Sequence, residues 1–251
     1  TVTATQSFYG NGGVNQVYSG ISVNLFNHIS VGVNTYYMFG SVINTRALTF
    51  SQSDFYSSYQ KDSITINSFR FRYGVQFYNT FNKVHDLTLG FIYEPKKKLN
   101  ANYTEMTASV EDIYTVVPND DNQFEMPEVY GAGLGYKYKN SLTLGVDYSM
   151  QKWGDALYFG KTDSLANRSK LVVGGEYVKN PLGRKYSDLI RYRAGFNISD
   201  PYYKVGGATQ PKSFGISFGL GLPILSNNTL LNTTFEYGKI GSTGSLREDY
   251  F

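Results

Sequence analysis

Between residues 129 and 138 the side chains alternate position by position. Tyr130, Ala132, Leu134, Tyr136 and Tyr138 share one face; Val129, Gly131, Gly133, Gly135 and Lys137 share the other. After the polar turn Lys139-Asn140-Ser141 the pattern resumes, with Leu142, Leu144, Val146, Tyr148 and Met150 set against Thr143, Gly145, Asp147, Ser149 and Gln151. Successive side chains of a strand point to opposite faces, so two such runs around a short turn predict a β-hairpin. Runs of about ten residues are long enough to cross a bilayer core at a tilt.

The pattern recurs along the chain. Apolar faces run through Val17 to Leu25, Ile29 to Phe39, Phe69 to Phe77 and Leu87 to Tyr93, and after the central hairpin through Leu171 to Tyr177, Ile190 to Ile198, Phe214 to Leu222 and Leu231 to Tyr237. Residues 1–9 alternate weakly and reach the turn-like cluster Gly10-Asn11-Gly12-Gly13. Short turns are expected at Phe26-Asn27-His28, Asn82-Lys83, Lys139-Asn140-Ser141, Asn180-Pro181-Leu182-Gly183 and Ser226-Asn227-Asn228, and long loops at 41–62, 95–127, 154–167 and 199–212. Short and long connections alternate without exception, which is how outer-membrane barrels place turns on one rim and loops on the other.

Composition fits this reading. The 251 residues include 26 Gly, 23 Tyr and 17 Phe, yet only 41% are apolar and 17% charged. No apolar run approaches the ~18 residues of a membrane helix. With 0 Cys there is no disulfide framework or thiolate metal site, and a net charge of +3, scattered along the chain, gives no argument for nucleic acid.

Charge placement sharpens it. A Lys or Arg facing lipid costs roughly 2–4 kcal/mol near the midplane, and the apolar faces carry no Asp, Glu, Lys or Arg. The opposite faces hold Arg70, Arg72, Lys137, Asp147, Lys170, Glu176, Arg191, Arg193 and Glu236. Tyr37, Tyr93, Tyr130, Tyr148, Phe196, Phe214 and Tyr237 fall at the long-loop ends of the apolar faces, and Phe77, Tyr138, Tyr177 and Tyr192 near the short-turn ends. Two aromatic belts around an aliphatic middle match the two interfaces of a membrane. The expected fold is all-β, a transmembrane antiparallel up-and-down β-barrel with about ten strands visible.

Three stretches carry a family resemblance: GNGGVNQVYSGISVNLFNHISVGVNTYYMFG, IRYRAGFNISDPYYKVGG and SFGISFGLGLPILSNNTLLNTTFEYGKIG. They resemble FadL-type outer-membrane transport proteins as found in Bacteroidetes. The resemblance implies a fourteen-stranded barrel, a hatch inside the lumen, uptake of long-chain fatty acids or other hydrophobic compounds, and a location in the bacterial outer membrane. The family's N-terminal hatch carries Asn-Pro-Ala, whereas Asn180-Pro181 here precedes Leu182 in an expected turn. Residues 1–251 are therefore expected to form a single outer-membrane barrel domain, incomplete at both ends, with a complete barrel of ten or twelve strands as the alternative.

For the lumen, Arg70, Arg72, Asp147, Glu176, Arg191, Arg193 and Glu236 are candidates for a charge network. Guanidinium groups there can bind a carboxylate by paired hydrogen bonds or join neighbouring-strand carboxylates. Inward glycines, among them Gly131, Gly133, Gly135 and Gly145, either clear space beside the wall or ease strand bending. His28 and His85 both sit at expected short turns, and no metal-ligand spacing occurs, Asn119-Asp120-Asp121 being too poor in spaced acids for a calcium loop. No catalysis, cofactor or metal is expected.

Expected partners are outer-membrane lipid, lipopolysaccharide near Lys96-Lys97-Lys98, a hydrophobic small-molecule ligand and other outer-membrane proteins. Three functions follow: a transporter for hydrophobic small molecules, an accessory FadL-like barrel in a protein secretion assembly, or a general porin. The apolar content of loop 95–127 speaks for ligand gating, partner binding or a loop folded over the mouth.

Overall fold

The computed structural model describes residues 2–52, 55–109, 113–116, 123–162, 164–224, 226–241 and 248–250. Asn119-Asp120-Asp121, read from the sequence as too poor in spaced acids for a calcium loop, lies outside the described residues. The strands in chain order are β1 (Ala4–Leu25), β2 (Ile29–Phe50), β3 (Ser58–Phe81), β4 (His85–Glu94), β5 (Lys97–Lys98), β6 (Ala101–Ser109), β7 (Ile113–Val116), β8 (Glu125–Met126), β9 (Val129–Tyr138), β10 (Leu142–Gln151), β11 (Arg168–Val178), β12 (Arg191–Ser199), β13 (Lys204–Val205), β14 (Ala208–Thr209), β15 (Ser213–Ile224), β16 (Ser226–Ile240) and β17 (Glu248–Tyr250).

Each run of alternating residues forms a strand, and the strands join in the order β1-β2-β3-β4-β9-β10-β11-β12-β15-β16-β17 with antiparallel neighbours. Three turns on the short rim share one geometry: Phe26 and Asn27, Asn82 and Lys83, and Lys139 and Asn140 all have positive φ. Two successive left-handed residues match the right-handed twist of the flanking strands, as in a type I′ turn.

The sheet is not closed. Among the described residues no pairing joins β1 to β16 or β17. The eleven strands of that path are joined by ten antiparallel steps, which leave β1 and β17 running in the same direction, so these two edges cannot join as antiparallel neighbours. The expected antiparallel up-and-down sheet is found with a barrel-like strand order but open among the described residues, and the alternative of a complete ten- or twelve-stranded barrel closed on itself is not what the structure shows.

Three further expectations are corrected. Gly10 to Gly13 is no turn but the middle of β1, and 41–62 is mostly strand, because β2 and β3 are 22 and 24 residues long. The upper halves of β1, β2 and β3 extend as a flange beyond the level of the ten-residue strands β4, β9 and β10. Loop 95–127 contains β5, β6, β7 and β8; β6 pairs with the upper half of β3, Ile64 opposite Tyr103.

Face assignment survives intact. Leu144, Phe218 and Phe71 are 45%, 61% and 40% exposed, so among the described residues no second sheet covers the apolar face. The buried cluster Ile64, Leu99, Ala101 and Phe124 lies instead on the flange, with Ile66, Tyr103 and Met126 packed against it. Ile64 and Ile66 share the face of Arg70 and Arg72 by alternation along β3. The β5–β8 pair and residues 156–160 therefore form a cap on the inward side, tied by Leu99 N to Phe124 O (2.9 Å), Glu125 N to Leu157 O (2.9 Å) and Gly160 N to Gln123 O (3.0 Å).

The flange begins where two glycines bend the β1–β2 hairpin. Gly12 and Gly40 have φ of 89° and 138°, and a Cβ at Gly40 would stand 2.3 Å from Gly13 O. Gly40→Val is expected to lower stability by more than about 1 kcal/mol in urea titration of the folded protein. Gly90→Ala, with nothing within 4 Å of its Cβ, is expected to leave stability unchanged or raise it by about 0.4–1 kcal/mol.

Candidate functional site

The inward face carries its charge in separate groups, not in one network. The first is built by alternation on β3 and β4. Arg70 and Arg72 both hold Glu94, which is 1% exposed. Arg72 also lies over the Tyr36 ring, its Cζ 5.2 Å from the centroid. A cavity of 530 Å³ opens here, lined by Gln16, Tyr18, Tyr36, Arg70, Arg72 and Glu94 among others. Two residues before Arg70 on β3, Ser68 accepts a hydrogen bond from Asn100 N (3.1 Å), so the cap sits immediately beside this cavity.

The second group crosses β11, β12 and β16. Glu176 lies opposite Arg193 in register and accepts from Arg191 Nη1 (2.6 Å) and Arg193 Nε (2.7 Å). Arg193 Nη1 donates to Asn232 Oδ1 (2.7 Å). Both oxygens of one carboxylate are thus held by two guanidinium groups, leaving a net positive site.

The other two candidates stand apart. Glu236 accepts from Asn197 Nδ2 at 3.4 Å. Asp147 has no ion pair among the described residues and leans over Gly133, where a Cβ would be 2.4 Å from its Oδ1. Glu94 was not among the sequence candidates although the signal was present: Leu87, Leu89, Phe91 and Tyr93 face outward, so an even-numbered residue at the end of β4 faces inward.

Inward glycines serve two purposes. Gly131 makes room for Ile92 and Gly215 for Asn197 and Glu236. Gly135, Gly145, Gly174 and Gly195 instead form one continuous row across β9 to β12. A Cβ at Gly145 would meet nothing within 4 Å, and a 590 Å³ cavity lies over this row, with Gln76, Thr88 and Asp147 also lining it. A cavity of 1030 Å³ is apolar; Leu144, Phe196, Phe218 and Phe235 line it together with Glu176 and Arg193. Its apolar lining belongs mainly to the outward face, whereas the inward cavities are lined by polar side chains and glycine.

At the long-loop rim the cap is latched by ion pairs. Glu128 binds Lys152 Nζ (2.9 Å) and accepts from the Tyr93 hydroxyl (2.8 Å). Hydrogen bonds from Lys152, Tyr130 and Tyr93 pull its carboxyl down to about 2. Lys96 pairs with Glu125 at 2.7 Å, and Leu157 N donates to the same carboxylate at 3.0 Å. Trp153 stacks on Tyr202 with centroids 5.3 Å apart. Among the described residues no cluster of His, Cys, Asp or Glu could hold a metal.

The two arginine groups should respond differently to truncation, because their carboxylates differ in burial. Glu94→Ala strands two guanidinium groups at a buried position and is expected to cost about 3–5 kcal/mol in urea titration. Glu176 is 25% exposed, and Glu176→Ala is expected to cost about 1 kcal/mol.

Comparison with known proteins places the fold. A crystal structure of a Pseudomonas aeruginosa FadL homologue aligns with TM-score 0.60 and 15% identity, covering 92% of this chain and 60% of that one. The Ralstonia pickettii toluene transporter TbuX aligns with TM-score 0.53 and 14% identity, covering 94% and 69%. The RagAB peptide transporter gives TM-score 0.57 and 11% identity, covering 93% of this chain and 30% of that one. The chain thus spans 60% of the FadL homologue and 30% of the RagAB chain. No curated protein sequence matches it. At such identities these likenesses concern the fold, so the FadL resemblance read from the sequence holds at that level. A sequence-family match covers residues 1–251, and the family is BamG: the chain belongs to the BamG family.

Proposed function

We propose that the chain forms the wall of a bacterial outer-membrane channel that works without catalysis and admits hydrophobic small molecules such as long-chain fatty acids. The observation that carries this reading is the sheet's two-sidedness. An uncovered apolar face with aromatic ends suits lipid, and a polar, charged face suits an enclosed lumen. The net positive site at Glu176, Arg191 and Arg193 on the inward face suits the acidic head of a fatty acid. The cap over the inward face argues for a gated passage rather than a general porin. Lys96, Lys97 and Lys98 stand on the same rim as the cap, where lipopolysaccharide phosphates would meet them.

On this reading the chain is part of a larger barrel. No Asp, Glu, Lys or Arg occurs before Arg46, so β1 lacks the charges that protect natural sheet edges. In hydrocarbon its free backbone groups require a further antiparallel strand.

A second reading, an accessory barrel in a protein secretion assembly, draws on the flange. Phe8, Tyr9, Phe55, Tyr56 and Tyr59 are all exposed there, beyond the level of the short strands.

Binding of a fluorescent long-chain fatty acid to the detergent-solubilised protein distinguishes the two. The channel reading predicts saturable binding, weakened roughly tenfold or more in Arg191→Ala and Arg193→Ala, as expected for loss of a charge-assisted hydrogen bond. Unchanged binding would remove these residues from the site. Absence of binding, together with crosslinking from Tyr9→Cys to another outer-membrane protein, would favour the accessory barrel.

A further inference from the structure

The short-turn rim carries a charge imbalance that neither the wall nor the lumen uses. Its connections present Lys83, Lys139, Lys179, Arg184 and Lys185, all exposed. Among the described residues the acids of this rim are Asp86 and Asp188. Asp86 faces inward opposite Lys137 and accepts from Thr80 (2.7 Å), and Asp188 pairs with Lys179 (2.9 Å). Lys83, Lys139, Arg184 and Lys185 have no carboxylate within ion-pair reach among the described residues.

These cations adjoin the lower aromatic belt of the outward face. His85, Tyr138, Leu142, Tyr177 and Tyr192 are successive register neighbours from β4 to β12. Lys139 turns back over this row, its Nζ 5.2 Å from the Tyr138 ring centroid. The charge therefore lies against the side proposed to meet lipid.

The β11–β12 connection adds an apolar tip. Leu182 is 93% exposed, and the loop that presents it is built firmly. Asn180 N donates to Asp188 O (3.0 Å), Gly183 N to Asn180 O (3.0 Å), and Leu182 N to Asn180 Oδ1 (3.2 Å). The single-turn helix α1 (Tyr186–Leu189) completes it, and a Cβ at Gly183 would come within 2.8 Å of Asp188 Cβ. Arg184, Lys185 and Tyr186 flank the tip and are exposed. An exposed leucine held between cations and a tyrosine combines the three side-chain types that settle at a membrane surface: apolar insertion, phosphate pairing and interfacial ring.

We propose that this rim binds anionic phospholipid, with Leu182 among the acyl chains, Tyr186 at headgroup level, and Lys139, Arg184 and Lys185 on the phosphates. Three features favour lipid over a protein partner. The cations spread over several turns, they adjoin the outward face directly, and their complement is diffuse negative charge. The inference rests on the membrane reading above, and its test separates the two.

The sequence has 0 Cys, so Leu182→Cys and Leu144→Cys can each carry a single fluorophore. The labelled proteins are reconstituted in phosphatidylcholine vesicles with or without phosphatidylglycerol, and quenched by a bilayer-borne nitroxide or by aqueous iodide. The expected result is nitroxide quenching at both positions, stronger at Leu182 when phosphatidylglycerol is present. The variant Lys139→Gln/Arg184→Gln/Lys185→Gln should lose phosphatidylglycerol binding, read by native mass spectrometry, roughly fivefold for each cation removed. Iodide-only quenching at Leu182 with nitroxide quenching at Leu144 would overturn this proposal and leave the membrane reading standing. Absence of nitroxide quenching at Leu144 would overturn both. Equal binding of the two lipids, or iodide protection of Leu182 only on addition of periplasmic proteins, would also contradict a lipid-binding rim.

Discussion

A strand surrounded by hydrocarbon has no water to satisfy its backbone, so every N–H and C=O must find a partner in a neighbouring strand. On the proposed membrane reading, that requirement, with side chains alternating between two faces, organises this chain. Strands must be long enough to cross, paired on both sides, apolar toward lipid and free to be polar toward the enclosed space. The central hairpin shows all four: ten paired residues on each strand, with Leu134 and Leu144 on one face and Gly133 and Asp147 on the other. The uncharged edge of β1 is where the requirement stands unmet within the described residues.

Much of the wall was legible in the sequence because period-two patterning is a local signal, and the short turns punctuate it. Phe26-Asn27 and Lys139-Asn140 mark their reversals with residues that take a left-handed backbone in the folded sheet. The flange was not legible, for a physical reason. Gly10-Asn11-Gly12-Gly13 has the composition of a turn, yet Gly12 uses its positive φ within a continuous strand, facing Val42 across the hairpin. In the flange, Thr45, Lys61 and Ser63 break the apolar series that would have announced its strands.

The charge groups show the same division. Alternation gives the face of each charged residue, and Arg70, Arg72, Glu176, Arg191 and Arg193 all lie on the same face of the sheet. It does not give register across strands, so the separation into a buried Glu94 group and a more open Glu176 group emerges only from pairing. The cap has no periodic signature either: its core of Leu99, Ala101 and Phe124 is assembled from segments distant in sequence. The cap and the flange of this BamG-family chain both gather at the long-loop rim, opposite the turns that carry Lys83, Lys139, Arg184 and Lys185.

The account depends on which face meets lipid, and a pair of adjacent residues in β15 tests it. Phe218 is outward and 61% exposed; Ser217 is inward and opposite Glu236. The free energy of folding into phosphatidylcholine vesicles, measured for Phe218→Arg and Ser217→Arg, should fall by roughly 2–4 kcal/mol for the first. It should change by less than about 1 kcal/mol for the second, where the new cation faces a carboxylate. Equal losses, or a larger loss at Ser217, would contradict the assigned orientation.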